Sequence, residues 1–313
     1  MARAFVFPGQ GSQAVGMGKE LSEALPTARA VFEEVDEALS QNLSRLMFEG
    51  PIEELTLTEN AQPALMAMSL AVTRVLRQDG GMEFGKHCQF VAGHSLGEYS
   101  ALCAADALAL DATAQLLKKR GQAMQQAVPV GQGTMAALLG LDFEAAAGVA
   151  ADAAQGQVCD VANDNAPGQV VVSGNVEAVE RAVELAKDRG ARRPMLLPVS
   201  APFHCALMQP AADIMAEALE ISPPIAPAVP LVANVAAAAV SDPDEIRDLL
   251  VRQVTSMVRW RESVLYMRDQ DVDNLVELGA GKVLTTMLKR IDKEVSGQAV
   301  NSPEDIEAFL KTM

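Results

Sequence analysis

Cysteine and histidine are scarce in this chain, with four of the first and three of the second. The cysteines, Cys88, Cys103, Cys159 and Cys205, form no CxxC pair and no disulfide framework. They read as small buried hydrophobes in a reducing cytosol. There is no HExxH and no Cys/His cluster at ligand spacing, so no metal is expected. The Gly9–Gly16 segment lacks GxGxxG spacing, and a Walker A lysine is missing, so no nucleotide cofactor is expected either. Positive charge is short: 25 Lys and Arg stand against 41 Asp and Glu, a net charge of -16. That balance excludes a general nucleic-acid binder and disfavours an anionic membrane surface, although a local basic patch remains compatible with it. No apolar run approaches the ~20 residues of a membrane span. The N-terminal MARAFVFPGQ has no secretory apolar region. The expectation is a soluble, cytoplasmic protein.

Aromatics make up only 4% of the residues, yet 50% are hydrophobic. Ala, Val, Leu and Met therefore supply the core volume, with Met filling irregular gaps. A length of 313 residues suits one large α/β domain, alone or carrying a small one. Ala2–Phe7 is a short apolar run ended by Pro8 and Gly9, which predicts a buried strand. Helical patterns follow at Thr27–Leu39 and Gln62–Leu76, then a strand at Gln89–Ala92. Helices are expected at Ser100–Leu110 and Asp111–Gln126, with Asp111 as N-cap. Strand alternating with helix predicts a mainly parallel sheet covered on both faces. Between Pro129 and Val199 the pattern changes. Strands at Thr134–Leu141, Val158–Ala162, Gln169–Ser173 and Ala191–Val199 enclose helices at Phe143–Ala154 and Val176–Arg189. That βαββαβ order is the ferredoxin-like split unit. The expected architecture is a large α/β subdomain over 1–129 and 199–313, with an inserted ferredoxin-like subdomain over 130–198. Further strands are expected at Leu231–Val235 and Asn274–Leu278, with a loop over Pro223–Pro230.

Gly93-His94-Ser95-Leu96-Gly97 follows the strand ending QFVA and precedes a helical pattern. This is a GxSxG nucleophile elbow in the context it requires. Glycines on both sides keep Cβ atoms out of the bend, and the Leu96 N–H at the helix start points where an oxyanion would form. A serine needs a base. His94 adjoins the nucleophile and leaves the turn in another direction, and His87 lies in an exposed-looking polar segment. His204, in SAPFHC, remains. As base it would give a rate that rises with pH near ~6–7. No acid between Ser95 and His204 stands in a telling motif. The third member is open between a carboxylate and a carbonyl that orients the histidine.

Six motifs in order carry a family resemblance: FPGQGSQAVGMG (7–18), TENAQPALMAMSLAV (58–72), AGHSLGEYSAL (92–102), NDNAPGQVVVSG (163–174), SAPFHC (200–205) and ELGAGKVLTTMLKR (277–290). Together they resemble the malonyl-CoA:acyl-carrier-protein transacylases over nearly the whole chain. Ala280 and Ala236 depart from the family's common proline and aspartate. The resemblance implies transfer of malonyl from malonyl-CoA to Ser95 and on to the thiol of acyl carrier protein, in fatty acid biosynthesis, with these two as the partners and an α/β-hydrolase-like large subdomain.

It also implies roles: Ser95 as nucleophile, His204 as base, the N–H groups of Gln10 and Leu96 as oxyanion hole, and Gln253 orienting the histidine through its main-chain carbonyl. Arg120 falls at the carboxylate-binding position, and Asn163, Met124 and Gln62 at pocket positions. Phe203 matches malonyl-selecting members. Independently of the family, a buried carboxylate favours a guanidinium partner, although Arg120 could instead continue the Lys118–Lys119 surface run. Basic residues for an acidic carrier protein are expected at Lys282, Lys289 and Arg290, or at Arg189, Arg192 and Arg193. A serine thioesterase or a silent carrier-docking module would share many of these features. The thioesterase differs by letting water attack the acyl-enzyme, the module by forming no acyl-enzyme.

Overall fold

The computed structural model describes residues 2–313. Ten strands form two sheets. β1 (Arg3–Phe7), β2 (Phe90–Gly93), β7 (Leu231–Ala233), β8 (Ala238–Val240), β9 (Asn274–Leu278) and β10 (Ser296–Val300) make one sheet in the order β10-β9-β1-β2-β7-β8. All neighbours are parallel except β7 and β8, which are antiparallel. β3 (Gly133–Leu139), β4 (Cys159–Ala166), β5 (Gln169–Asn175) and β6 (Arg193–Leu196) make an antiparallel sheet in the order β4-β5-β3-β6. Helices Phe143–Ala154 and Val176–Asp188 complete its ferredoxin-like pattern.

The strands are apolar runs because helices cover both faces of the large sheet. Phe5 and Phe7 point into one core with Leu65, Val72 and Leu102. Ala4 and Val6 point the other way, toward Trp260, Val264 and Met267. The small sheet has its own core, in which Val170 and Val172 meet Val149, Val179 and Val183. A bidentate ion pair joins the two sheets' surroundings: Arg261 Nη2 lies 2.7 Å from Asp164 Oδ2, and Arg261 Nε also donates to Asp164. Main-chain bonds from Val258 N–H to the Ala162 carbonyl and from Asp164 N–H to the Val258 carbonyl lie beside it. No helix among the described residues is long and apolar enough to cross a membrane.

The helix expected over Ser100–Leu110 is instead Gly97–Ala104, followed by a turn. Asp106 adopts a left-handed φ of 62°. The Ala107 N–H returns to the Leu102 carbonyl and the Asp106 N–H to the Cys103 carbonyl, closing a Schellman motif. The next helix is Leu110–Gln126, capped by Ala109, so Asp111 is not its N-cap. Asp111 lies inside the first turn, where its charge still favours the helix dipole. The helix expected from Gln62 begins at Thr58 and runs to Gln78. β4 reaches Ala166, past the expected end at Ala162, because register shifts at Val161/Asn163 and Asp164/Ala166 absorb the polar Asn163-Asp164-Asn165 segment. Short helices at Lys19–Ala24, Leu43–Glu49 and Ile52–Thr56 fall below the length at which periodicity is readable.

Candidate active site

β1 and β2 lie side by side in parallel, with Phe7 opposite Gly93. Their C-terminal ends therefore open on one edge, which carries the Gly9–Gly18 loop and the Ser95 turn. The turn is tight enough to require glycine. A Cβ on Gly93 would sit 1.9 Å from the Gly97 carbonyl carbon, and one on Gly97 would sit 2.3 Å from the Phe7 oxygen. Ser95 itself is in the left-handed region, with φ 54°. Such a backbone costs about 1–3 kcal/mol and persists only when its surroundings impose it. Here Asn234 Oδ1 accepts the Ser95 N–H at 2.8 Å, Asn234 Nδ2 donates to the Gly93 carbonyl at 2.7 Å, and Gln253 Nε2 donates to the Ser95 carbonyl at 3.0 Å.

His204 comes from the loop after β6 and is also left-handed, with φ 59°. Its neighbour Cys205 donates its thiol to the Pro202 carbonyl, and the Ala206 N–H donates to Asp160. These bonds hold the ring against the elbow. His204 Nε2 lies 2.8 Å from Ser95 Oγ, and Nδ1 lies 2.8 Å from the main-chain oxygen of Gln253. A carbonyl can only accept, so Nδ1 carries the proton and Nε2 presents its lone pair to the serine hydroxyl. Burial first, and then the charge of Arg120, push the imidazole pKa down to about 3. The histidine is therefore neutral throughout the working range. The rise near pH 6–7 expected from an ordinary histidine is displaced far to the acid side by this buried, cationic setting.

Arg120 projects from helix Leu110–Gln126 and is only 1% exposed, so it does not continue the Lys118–Lys119 surface run. Lys118 turns instead to Gln41 and Asn60. The Arg120 guanidinium gives Nη1 to Gln62 Oε1 at 2.8 Å, and Nη2 to Gln253 Oε1 at 2.9 Å and to Ser95 Oγ at 3.1 Å. It lies over the Tyr99 ring, 5.7 Å from the centroid. It makes no ion pair among the described residues, and its buried Nε has no partner. Burial lowers its pKa, yet a guanidinium stays charged at any working pH. The guanidinium is thus a buried cation whose hydrogen bonds go only to neutral oxygens, one of them a serine hydroxyl, a setting that favours an anionic partner.

A cavity of about 370 Å³ opens over these residues. Gln10, Gln62, Ser95, Leu96, Arg120, Met124, Asn163, Phe203 and His204 all line it, so nine of the ten residues singled out in the sequence meet at one place. Gln253 stands one layer behind, at the end of helix Pro243–Gln253. The N–H groups of Gln10 and Leu96 make no hydrogen bond to a protein acceptor among the described residues. Met124 Sδ rests 3.8 Å from Gln62 Nε2. A larger open depression of about 770 Å³, around Glu177, Arg181 and Glu184, lies on the small sheet's helix and contains none of these groups.

Three residues of the site escaped the sequence reading. Asn234, at the end of a strand-like run, braces the elbow. Asn165 Oδ1 lies 2.8 Å from His94 Nε2, and His94 leans on Trp260, so His94 also lines the cavity but its Nε2 is taken by Asn165 and not by Ser95. Glu98 is 2% exposed and accepts from the Asn234 N–H at 2.9 Å and from Gln253 Nε2. Its position right after the GxSxG pentapeptide, in a first helical turn, was the available signal. His87 is half-buried on the short helix Phe84–His87 and hydrogen-bonds the Glu83 carbonyl, away from the cavity.

The family described as "Acyl transferase domain" matches residues 4–305. The malonyl CoA-acyl carrier protein transacylase of Escherichia coli K12 is 47% identical over 308 residues, covering 98% of each chain. The crystal structure of the acyl-carrier-protein-S-malonyltransferase from Bartonella henselae is 55% identical, with a TM-score of 0.98 over 100% of this chain and 99% of that one. A malonyl-transacylase solved in complex with its type II PKS acyl-carrier protein is 43% identical, with a TM-score of 0.96 over 100% of both chains. By domain, by full-length identity and by fold, the chain belongs to the acyl transferase domain family and, within it, to the malonyl CoA-acyl carrier protein transacylases.

Proposed function

We propose that this acyltransferase carries malonyl from malonyl-CoA to the phosphopantetheine thiol of acyl carrier protein by way of a malonyl-Ser95 ester, in fatty acid biosynthesis. The observation that carries the reading is the Ser95–His204 pair set beside a buried Arg120 that makes no ion pair among the described residues.

In the first half-reaction Ser95 Oγ attacks the thioester carbon while its proton passes to His204 Nε2. The tetrahedral oxyanion is received by the N–H groups of Gln10 and Leu96. The C–S bond then breaks, and the coenzyme A sulfur takes the proton from His204. In the second half-reaction the carrier thiol gives its proton to His204 and attacks the ester. The C–O bond breaks, and Ser95 recovers its proton. The Gln253 carbonyl supports the imidazolium that forms transiently, the task a carboxylate performs in other serine enzymes. Arg120 pairs with the free malonyl carboxylate, while Gln62, Met124, Asn163 and Phe203 shape the space around the acyl chain.

The same reading takes 1–129 with 199–313 as the catalytic unit and 130–198 as a small subdomain closing over it. Lys282, Lys289 and Arg290 are exposed on or beside helix Val283–Ile291, whose first turn lines the cavity mouth, and they make no ion pair among the described residues. Arg189 is paired with Asp152. The first cluster is thus the better seat for an acidic carrier protein. Four buried, unpaired cysteines fit a reducing compartment, and the reading places the enzyme in the cytoplasm.

Brief exposure to malonyl-CoA followed by peptide mass spectrometry tests the proposal. One malonyl mass is expected on the peptide that contains Ser95, and Ser95→Ala is expected to lose it while keeping its secondary structure. An undiminished adduct in that variant would overturn the assignment.

A further inference from the structure

One buried titratable group has no part in the proton transfers above. Glu98 lies in the first turn of helix Gly97–Ala104, beneath the nucleophile and out of solvent. Its two oxygens face two N–H donors, the Asn234 main chain and the Gln253 side-chain amide. Gln253 in turn holds both halves of the site. Its main-chain carbonyl takes the His204 proton, and its side-chain oxygen takes Arg120 Nη2.

A glutamine amide can be read either way round. Reversing it here would set an NH2 against the Arg120 guanidinium, two donors face to face. Three acceptors meet the amide NH2 as it stands, the Ser95 carbonyl, Asn234 Oδ1 and Glu98, and of these only Glu98 can carry a charge. We propose that Glu98 is a positioning residue for substrate selection: it turns the Gln253 amide so that an oxygen faces Arg120 and keeps the guanidinium aimed at the acyl group. The proposal rests on the reading that Arg120 receives the acyl carboxylate.

The two consequences of losing Glu98 separate cleanly. His204 depends on the Gln253 main chain, which a side-chain reversal leaves in place. Arg120 depends on the side chain, and of the two acyl groups only malonyl offers it a carboxylate. Selection of malonyl over acetyl should therefore suffer more than acyl transfer as such. General damage to the elbow through Asn234 would lower both transfers alike.

Ionisation provides a second handle. Burial pushes the Glu98 carboxyl up to about 8, against the pull of its Asn234 and Gln253 donors and of Arg120. The other groups around it do not change charge in that range. Arg120 stays cationic, Tyr99 is pushed up to about 12, His204 is pushed down to about 3, and burial lowers His94. When Glu98 takes a proton, one of its two oxygens becomes a donor and the charged acceptor that favours this amide orientation is lost. Malonyl selection should thus rise with pH as Glu98 ionises, and fall as it protonates.

The experiment measures initial rates of Ser95 acylation by malonyl-CoA and by acetyl-CoA in the full-length chain. Glu98→Gln is expected to lower the malonyl-to-acetyl ratio about tenfold, the scale of one charge-assisted hydrogen bond. Glu98→Asp, which keeps an acceptor-only group, is expected to retain most of the ratio. In a Gln253→Met background, where no amide remains to be turned, Glu98→Gln should leave the ratio where Gln253→Met alone puts it. An unchanged ratio in Glu98→Gln, or an equal further drop in the Gln253→Met background, overturns the proposal. Should Glu98→Gln not fold, the wild-type ratio decides between about pH 6 and pH 9.5: a rise supports Glu98 and a flat profile overturns it. Absence of any malonyl-Ser95 in the wild type would instead bring down the proposed function, and this inference with it.

Discussion

The two walls of the cavity are built on opposite plans. The inner side, from the large sheet, its helices and His204, carries a polar network, with Ser95, Arg120, His204 and Gln62 at the cavity and Gln253, Glu98 and Asn234 behind them, each tied to at least one other, beside the apolar Leu96, Met124 and Leu284. The outer wall, from the small sheet and the chain that leaves it, is mostly apolar: Met135, Val171, Leu197, Pro198, Val199 and Phe203, with Asn163 and Asn165 as polar exceptions. The difference separates two tasks. Chemistry needs groups fixed to a fraction of an ångström, which only a satisfied hydrogen-bond network in low dielectric provides. Containing an acyl chain and excluding water needs shape, which apolar contacts supply without fixed geometry.

The strongest way to sharpen that contrast is to remove the base. His204→Ala should slow Ser95 acylation by about 10²–10⁴-fold, the usual worth of a positioned general base, as read by the rate of acyl-enzyme formation. The accompanying pH profile is equally diagnostic. With the imidazole held down to about 3, the base is deprotonated at every higher pH. Wild-type acylation by acetyl-CoA, which has no carboxylate for Arg120, should be flat from about pH 5 to pH 8. A limb near pH 6–7 in that substrate would mean that His204 is far more hydrated than its burial implies.

A smaller, selective effect is expected from the cation. Arg120→Ala should lower kcat/KM for malonyl-CoA by about 10–100-fold, from charged hydrogen bonds of about 1.5–3 kcal/mol. Activity toward acetyl-CoA should hold or rise, because the unpaired buried charge that penalises it is gone. Arg120→Lys should restore little, since an ammonium cannot satisfy Gln62, Gln253 and a carboxylate in one plane. Equal loss with both substrates would make Arg120 part of the scaffold, and the contrast between the walls would no longer include selection.

The outer wall should yield the smallest change. Val171→Ala removes apolar contact from β5 at the cavity and should raise KM for both acyl donors by less than about tenfold, with kcat and the malonyl-to-acetyl ratio nearly constant. If Val171→Ala moved the ratio as much as Arg120→Ala does, the division of tasks would fail.

What could be read along the chain was what lies close together in it. The elbow is a local object: a strand, two glycines whose Cβ atoms would collide, and a helix, all within Phe90–Ala104. The βαββαβ order of Gly133–Leu196 is likewise local pattern, and the sheet order β4-β5-β3-β6 follows from it. Boundaries were weaker where a competing local bond won, as at the Schellman turn after Ala104. Elimination among three histidines reached His204 because so few were present. The resemblance, not the spacing, supplied Arg120, Gln10 and Gln253.

Glu98 and Asn234 were out of reach for a different reason. Nothing in GEYS or in LVANV says that a carboxylate and an amide 136 positions apart share a hydrogen bond. Burial decides whether such a carboxyl is an ordinary surface charge or one pushed up to about 8, and burial is a property of the packed molecule. The same holds for His204, whose pKa depends on the dryness of its setting and on Arg120, a residue from another helix. Residue identity and local order determined by themselves the glycine-flanked serine turn, the βαββαβ pattern and the three histidines open to it. Tertiary packing alone decided the charge of the site's groups, their tautomer and the direction each faces, because those depend on solvent exclusion and on partners that the chain brings together only when folded.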